Sequence, residues 1–118
     1  MIGNIARASV LAFVIAAPAV ATAATPYDGR WSLSILTQHG ACDTYNLPVN
    51  IENGHVSFPG LVRASGRVVS GGAVRVAVAA GDKSAAGSGK LSSGSGSGRW
   101  TGKSGDARCS GTWTAQRT

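Results

Sequence analysis

Histidines, carboxylates and large apolar side chains are all scarce in this chain, and each shortage removes a class of function. The only histidines are His39 and His55, and a nucleophile paired with an imidazole base would have to use one of them. Both are expected in or beside turns, open to water. The five carboxylates, Asp28, Asp43, Glu52, Asp82 and Asp106, fall at expected strand ends and turns, which does not offer the facing pair that glycoside hydrolysis needs. There is no Gly-x-Ser-x-Gly elbow, because Gly94-Ser95-Gly96-Ser97-Gly98 has a glycine at its centre. Gly102-Lys103-Ser104 would need a glycine at position 97 to be a phosphate loop; Ser97 stands there and no helix is expected to follow. His39, Cys42 and Asp43 form the tightest polar group, too sparse for a metal centre. No catalytic residue, metal ligand or cofactor is assigned, and the chain is not read as an enzyme.

What is present first concerns export. One charge, Arg7, precedes the apolar run Val10 to Val20, which meets Ala21-Thr22-Ala23-Ala24. That run is about half the ~20 residues of a membrane-spanning helix, and the small residues Ala21 and Ala23 stand at −3 and −1 of a signal-peptidase site. The reading is a signal peptide over residues 1–23, cut after Ala23 or Ala24, rather than a membrane anchor. Residues 24–118 are then a single domain in the periplasm or outside the cell, with no transmembrane segment in the mature chain.

Removing residues 1–23 from the 118 leaves 95, of which only 16 are Leu, Ile, Val or Phe. A core that thin calls for help beyond burial. Exactly two cysteines, Cys42 and Cys109, allow one intramolecular pairing, which an oxidising compartment maintains. Closing so long a loop contributes roughly 4 kcal/mol in the chain-entropy treatment.

Alternation supplies the fold class. Trp31, Leu33 and Ile35 share one face of a strand over residues 30–37, with the chain turning at 38–41. Tyr45, Leu47, Val49 and Ile51 share a face of the next strand, in which Pro48 marks an edge position or a bulge. Asn53-Gly54 is a strong hairpin signal, since a type I′ turn needs positive φ at both residues, and it returns the chain through His55 to Phe58. A second hairpin joins residues 64–69 to 73–79 around Ser70-Gly71-Gly72, with Val74, Val76 and Val78 as its apolar stripe. Between Gly81 and Arg108 a Gly/Ser-rich stretch holds only Leu91 and Trp100 as large apolar groups. It reads either as a flexible linker or as two glycine-rich strands meeting near residues 92–96, whose inward glycines leave room for tryptophan rings or a ligand. Cys109, Gly111, Trp113 and Ala115 share a face of the last strand. About eight short strands, with the first and last adjacent, predict an all-β domain: a small antiparallel barrel or a two-sheet sandwich.

The ten Lys and Arg residues from Ala24 onward outnumber the five acids and never form a run. A nucleic-acid arm is therefore not indicated, and in Arg30-Trp31 and Arg99-Trp100 the two side chains alternate to opposite faces. The charge fits solvated outer faces or attraction to anionic envelope material.

Tyr27-Asp28-Gly29-Arg30-Trp31-Ser32 at one end and Cys109-Ser110-Gly111-Thr112-Trp113-Thr114-Ala115-Gln116-Arg117 at the other resemble a group of small exported alphaproteobacterial proteins that begin Tyr-Asp-Gly-x-Trp-Ser and end Cys-x-Gly-x-Trp-x-Ala-x-Arg. That resemblance implies an exported compartment and a compact β shape. The Gly-x-Trp on the first strand is also similar to the single-disulfide, eight-stranded barrels of bacterial metalloprotease inhibitors and of lipocalin-like and avidin-like binders. This second likeness implies either a ligand cavity or an inhibitory N-terminal segment, here Ala24-Thr25-Pro26. The expected function is a secreted or periplasmic binding module for a small molecule or glycan, with Trp31, Trp100, Trp113, Tyr45 and the inward glycines around the ligand. The alternative is a protein-interaction or protease-inhibitor-like barrel acting on an envelope protein.

Overall fold

A computed structural model describes residues 24–60 and 63–118; the expected signal peptide lies outside the described residues. Eight strands follow one another: β1 (Gly29–His39), β2 (Tyr45–Glu52), β3 (His55–Ser57), β4 (Arg63–Val68), β5 (Ala73–Ala80), β6 (Lys83–Leu91), β7 (Ser95–Ser104) and β8 (Ala107–Arg117). Each pairs antiparallel with the next, and β8 pairs with β1, closing a barrel rather than a sandwich. Closure leaves no free sheet edge except where a strand falls short of its neighbour.

Short polar turns make this meander possible. Asn53 and Gly54 have φ of 53° and 81°, the positive pair that a type I′ hairpin requires. Gly81-Asp82 and Gly105-Asp106 are also two-residue turns, linking Ala80 to Lys83 and Ser104 to Ala107, with only the glycine at positive φ.

The glycine-rich stretch is strand, not linker. β6 and β7 pair without interruption from Lys83↔Ser104 to Leu91↔Gly96. β1 runs two residues beyond its expected end, through His39, because a register shift between Thr37 and His39 keeps it paired with β8. β3 stops at Ser57, and Phe58 packs into the core just beyond it. β2 pairs with β3 only from Asn50 to Glu52, so Pro48, opposite Ser32 on β1, has no strand on its other side. Its missing N–H therefore costs no ladder bond.

Trp31, Val49, Ile51, Val56, Phe58, Val68, Val74, Leu91, Trp100, Cys109, Trp113 and Ala115 form the buried core. Cys42, in the loop after β1, is joined to Cys109 on β8 with 6.1 Å between Cα atoms, inside the range that a disulfide spans. The bond ties the β1–β2 loop to the neighbouring strand β8 at one barrel mouth. A disulfide is the state of two thiols in an oxidising environment.

Candidate functional site: a one-ended apolar cavity

The two ends of the barrel differ. At one end the segment before β1 folds across the opening. Thr25 Oγ1 donates to Asp28 Oδ1 at 2.6 Å, and the backbone N–H groups of Asn53 and Gly54 donate to the same carboxylate at 2.7 and 3.1 Å. The Thr25 hydroxyl does most to hold the Asp28 carboxyl down to about 2; lost hydration opposes it next, and the Asn53 and Gly54 amides add to the lowering. Arg117, near the end of β8, lies 4.7 Å from the centroid of the Trp31 ring. Its guanidinium donates to the carbonyls of Pro26 at 2.6 Å, Asp28 at 2.7 Å and Ser93 at 3.0 Å. One cation thus joins the leading segment, β8 and the β6–β7 turn beneath an indole face, a favourable place for it.

At the other end lie the β1–β2 loop with its disulfide and the turns Gly81-Asp82 and Gly105-Asp106. Here a cavity of about 300 Å³ reaches the surface past Tyr45, Ala80 and Lys83. Inside, it is walled by aliphatic side chains of β1, β2 and β5 and by all three tryptophans. Among the described residues the charged ones bordering it are Lys83 and Lys103, both at the mouth, Lys103 from an outward-facing position at the end of β7.

Register explains why the tryptophans stand where they do. Trp113 on β8 is opposite Gly98 on β7, which is opposite Gly89 on β6. With no side chain at either glycine, the indole crosses β7 and donates from Nε1 to the Ser88 carbonyl at 3.2 Å. A Cβ at Gly89 would sit 2.6 Å from Trp113 Cζ2, and one at Gly98 2.7 Å from Trp113 Cε2. Trp100 on β7 repeats the device: opposite Gly111 on β8, it reaches across to the Leu36 carbonyl of β1 at 3.0 Å. Trp31 donates from Nε1 to the Tyr27 carbonyl at 2.8 Å.

Trp31, Trp100, Trp113 and Tyr45 therefore all border one cavity, Tyr45 at the rim with 39 % of its surface exposed. The inward glycines divide between the two expected roles, room for a tryptophan ring and room for a ligand. Gly89 and Gly98 seat the Trp113 ring instead of lining open space, and Gly87 is the glycine that borders the cavity. All three indole N–H groups are occupied by backbone carbonyls, so they present to the cavity only their apolar surfaces.

Three groups escaped sequence reasoning. Arg117 and Asp28 close the far end, and the terminal motifs contain both, but nothing in strand periodicity says that they meet across the barrel. Lys83 was missed because its inward parity emerges only once β6 is known to be a strand.

Among the described residues no group of three His, Cys, Asp or Glu could hold a metal ion, and no helix is long and apolar enough to cross a membrane. No family model, curated protein or solved structure matches this chain.

Proposed function

We propose that the protein is a non-enzymatic binding module of the periplasm or cell exterior that carries a small, largely apolar molecule in the open half of its barrel. The observation that carries this reading is a cavity of about 300 Å³ with an apolar wall in a barrel closed at its opposite end. Ligand pockets start at about this size and are mostly apolar. A dry apolar void would otherwise be a loss of packing that a small domain could remove with larger side chains.

The ligand chemistry follows from the wall. A sugar ring inside would leave its hydroxyls unpaired, since the indole donors are occupied, and each unpaired group costs about 1–3 kcal/mol. The cavity thus favours the small-molecule branch over a glycan. Polar atoms of the ligand belong at the mouth, where Tyr45 and Lys83 can reach them. The inhibitor alternative needs a leading segment free to enter another protein's site, whereas Thr25 to Asp28 are held by Asp28 and Arg117.

The test is native mass spectrometry of protein purified from its own periplasm, followed by displacement of the neutral fluorescent probe N-phenyl-1-naphthylamine. A retained mass that competes with the probe is expected, together with loss of probe binding in Val76→Phe, which fills the cavity. An empty protein that takes up no probe would refute the reading.

A further inference from the structure

Nine of the ten Lys and Arg residues from Ala24 onward lie on β4 to β8, and those five strands contain no Asp or Glu. The carboxylates are all at barrel ends, in the leading segment, at the end of β2 or in loops and turns. Strand parity sends Arg63, Arg67, Arg75, Lys90, Arg99, Lys103 and Arg108 to the outer wall, where each is exposed. Register then aligns three of them. Arg67 is directly opposite Arg75, Arg75 is opposite Ser88, and Ser88 is opposite Arg99. At about 4.8 Å between neighbouring strands, Arg67 and Arg75 lie about 5 Å apart and Arg99 stands about 10 Å further along the same row.

Like charges directly opposite on adjacent strands are destabilising. A row of them, with no carboxylate on these strands, is a site that an external anion would relieve. Of the row's outward neighbours, Ser65, Ala77, Ala86, Ser97 and Thr101 are short, Lys90 adds a further exposed cation two residues from Ser88, and beyond Arg67 the row continues through His55 to Glu52 at the end of β2. A guanidinium fork matches a carboxylate or sulfate in bidentate fashion.

The shape of the row selects the partner. It runs around a curved wall, so a flat anionic membrane would meet only part of it, whereas a flexible chain can follow it. Single-stranded nucleic acid is held largely by stacking on aromatic rings, and the aromatic residues of these strands, Trp100 and Trp113, are both buried inside. We propose that the outer wall of β4 to β7 binds an acidic polysaccharide, with Arg67, Arg75 and Arg99 engaging the charged groups of successive sugars and the Ser and Thr hydroxyls between them meeting sugar hydroxyls. This site does not depend on what fills the cavity.

Two double variants of equal net charge test it, Arg67→Ser/Arg75→Ser within the row and Arg30→Ser/Arg108→Ser outside it. Binding of a fixed-length heparin oligosaccharide and of polygalacturonate is measured by calorimetry at several salt concentrations, with duplex DNA and anionic phospholipid vesicles as comparison arms. The expected result is that the row variant loses about tenfold or more in affinity and that its log K against log salt slope becomes shallower by about two, one for each lost cation. The control pair should change affinity less than about threefold. The row variant should melt no lower than the parent, since it removes a repulsion, which separates lost binding from lost folding. Equal losses in both pairs would reduce the effect to net charge and overturn the proposal. So would failure of both polysaccharides to bind at about 0.15 M salt, or tighter binding of DNA or vesicles than of either polysaccharide.

Discussion

An indole that crosses a neighbouring strand can do so only where that strand has no Cβ, and this couples the glycines of β6 to β8 to the tryptophans. At Gly98 an added methyl would meet the Trp113 ring at 2.7 Å, and the ring cannot retreat without breaking its bond to Ser88. Gly98→Ala should therefore cost about 2–3 kcal/mol of unfolding free energy by overpacking. Gly94, with nothing within 4 Å of its Cβ position, should accept alanine within about 0.5 kcal/mol. Urea denaturation of the two variants checks the contrast. Asp28 gives a pH signature of the same kind. Its carboxyl titrates at about 2 in the folded protein against 3.8 ordinarily, so its contribution is fully present above about pH 4 and fades as pH falls through 2. Melting curves of the parent and Asp28→Asn should differ by a constant amount above pH 4 and converge below it. A gap that persisted unchanged to pH 2 would contradict the Asp28 assignment.

The strands are unequal. β6, β7 and β8 pair along nearly their full lengths, whereas β3 contributes three residues and, among the described residues, meets β4 through the single pair His55↔Arg67. Local opening should begin at that seam, because few backbone bonds must break there. Hydrogen exchange should show amides of β3 and β4 exchanging well before those of β7 and β8, and uniform protection around the barrel would count against this. The disulfide does not brace this seam; it links the β1–β2 loop to β8 across 67 residues of chain. Replacing both cysteines by serine should lower stability by about 4 kcal/mol, with the weakening extending along the best-paired side of the barrel. In a core with so few aliphatic residues, that loss approaches the whole stability of a typical small domain.

Considered as a whole, the molecule is a cup with a tied base, an apolar interior and a cationic outer wall. Filling the interior should trade probe uptake for stability: Val76→Phe is expected to raise unfolding free energy by about 1 kcal/mol while abolishing uptake of an apolar probe. Thermal melts with and without probe measure both effects. The charge distribution also exists only at this scale. Arg67, Arg75 and Arg99 are separated along the chain, which argues against a basic arm, yet antiparallel register sets them in one row.

How far the sequence alone could go follows from the range of the interactions involved. Alternation of apolar residues, the Asn53-Gly54 turn and the terminal Gly-x-Trp motifs established an all-β chain of about eight strands, because side-chain period and turn chemistry are local properties. The pairing of Cys42 with Cys109 needed only a count. Barrel against sandwich, and strand against linker for residues 81–108, depended on whether distant strands meet, and the few apolar residues there left local periodicity without enough signal. The closure of one end by Asp28 and Arg117, the cavity at the other, the glycine seats of the tryptophans and the arginine row all arise from register between strands far apart in the chain, which only the tertiary structure decides.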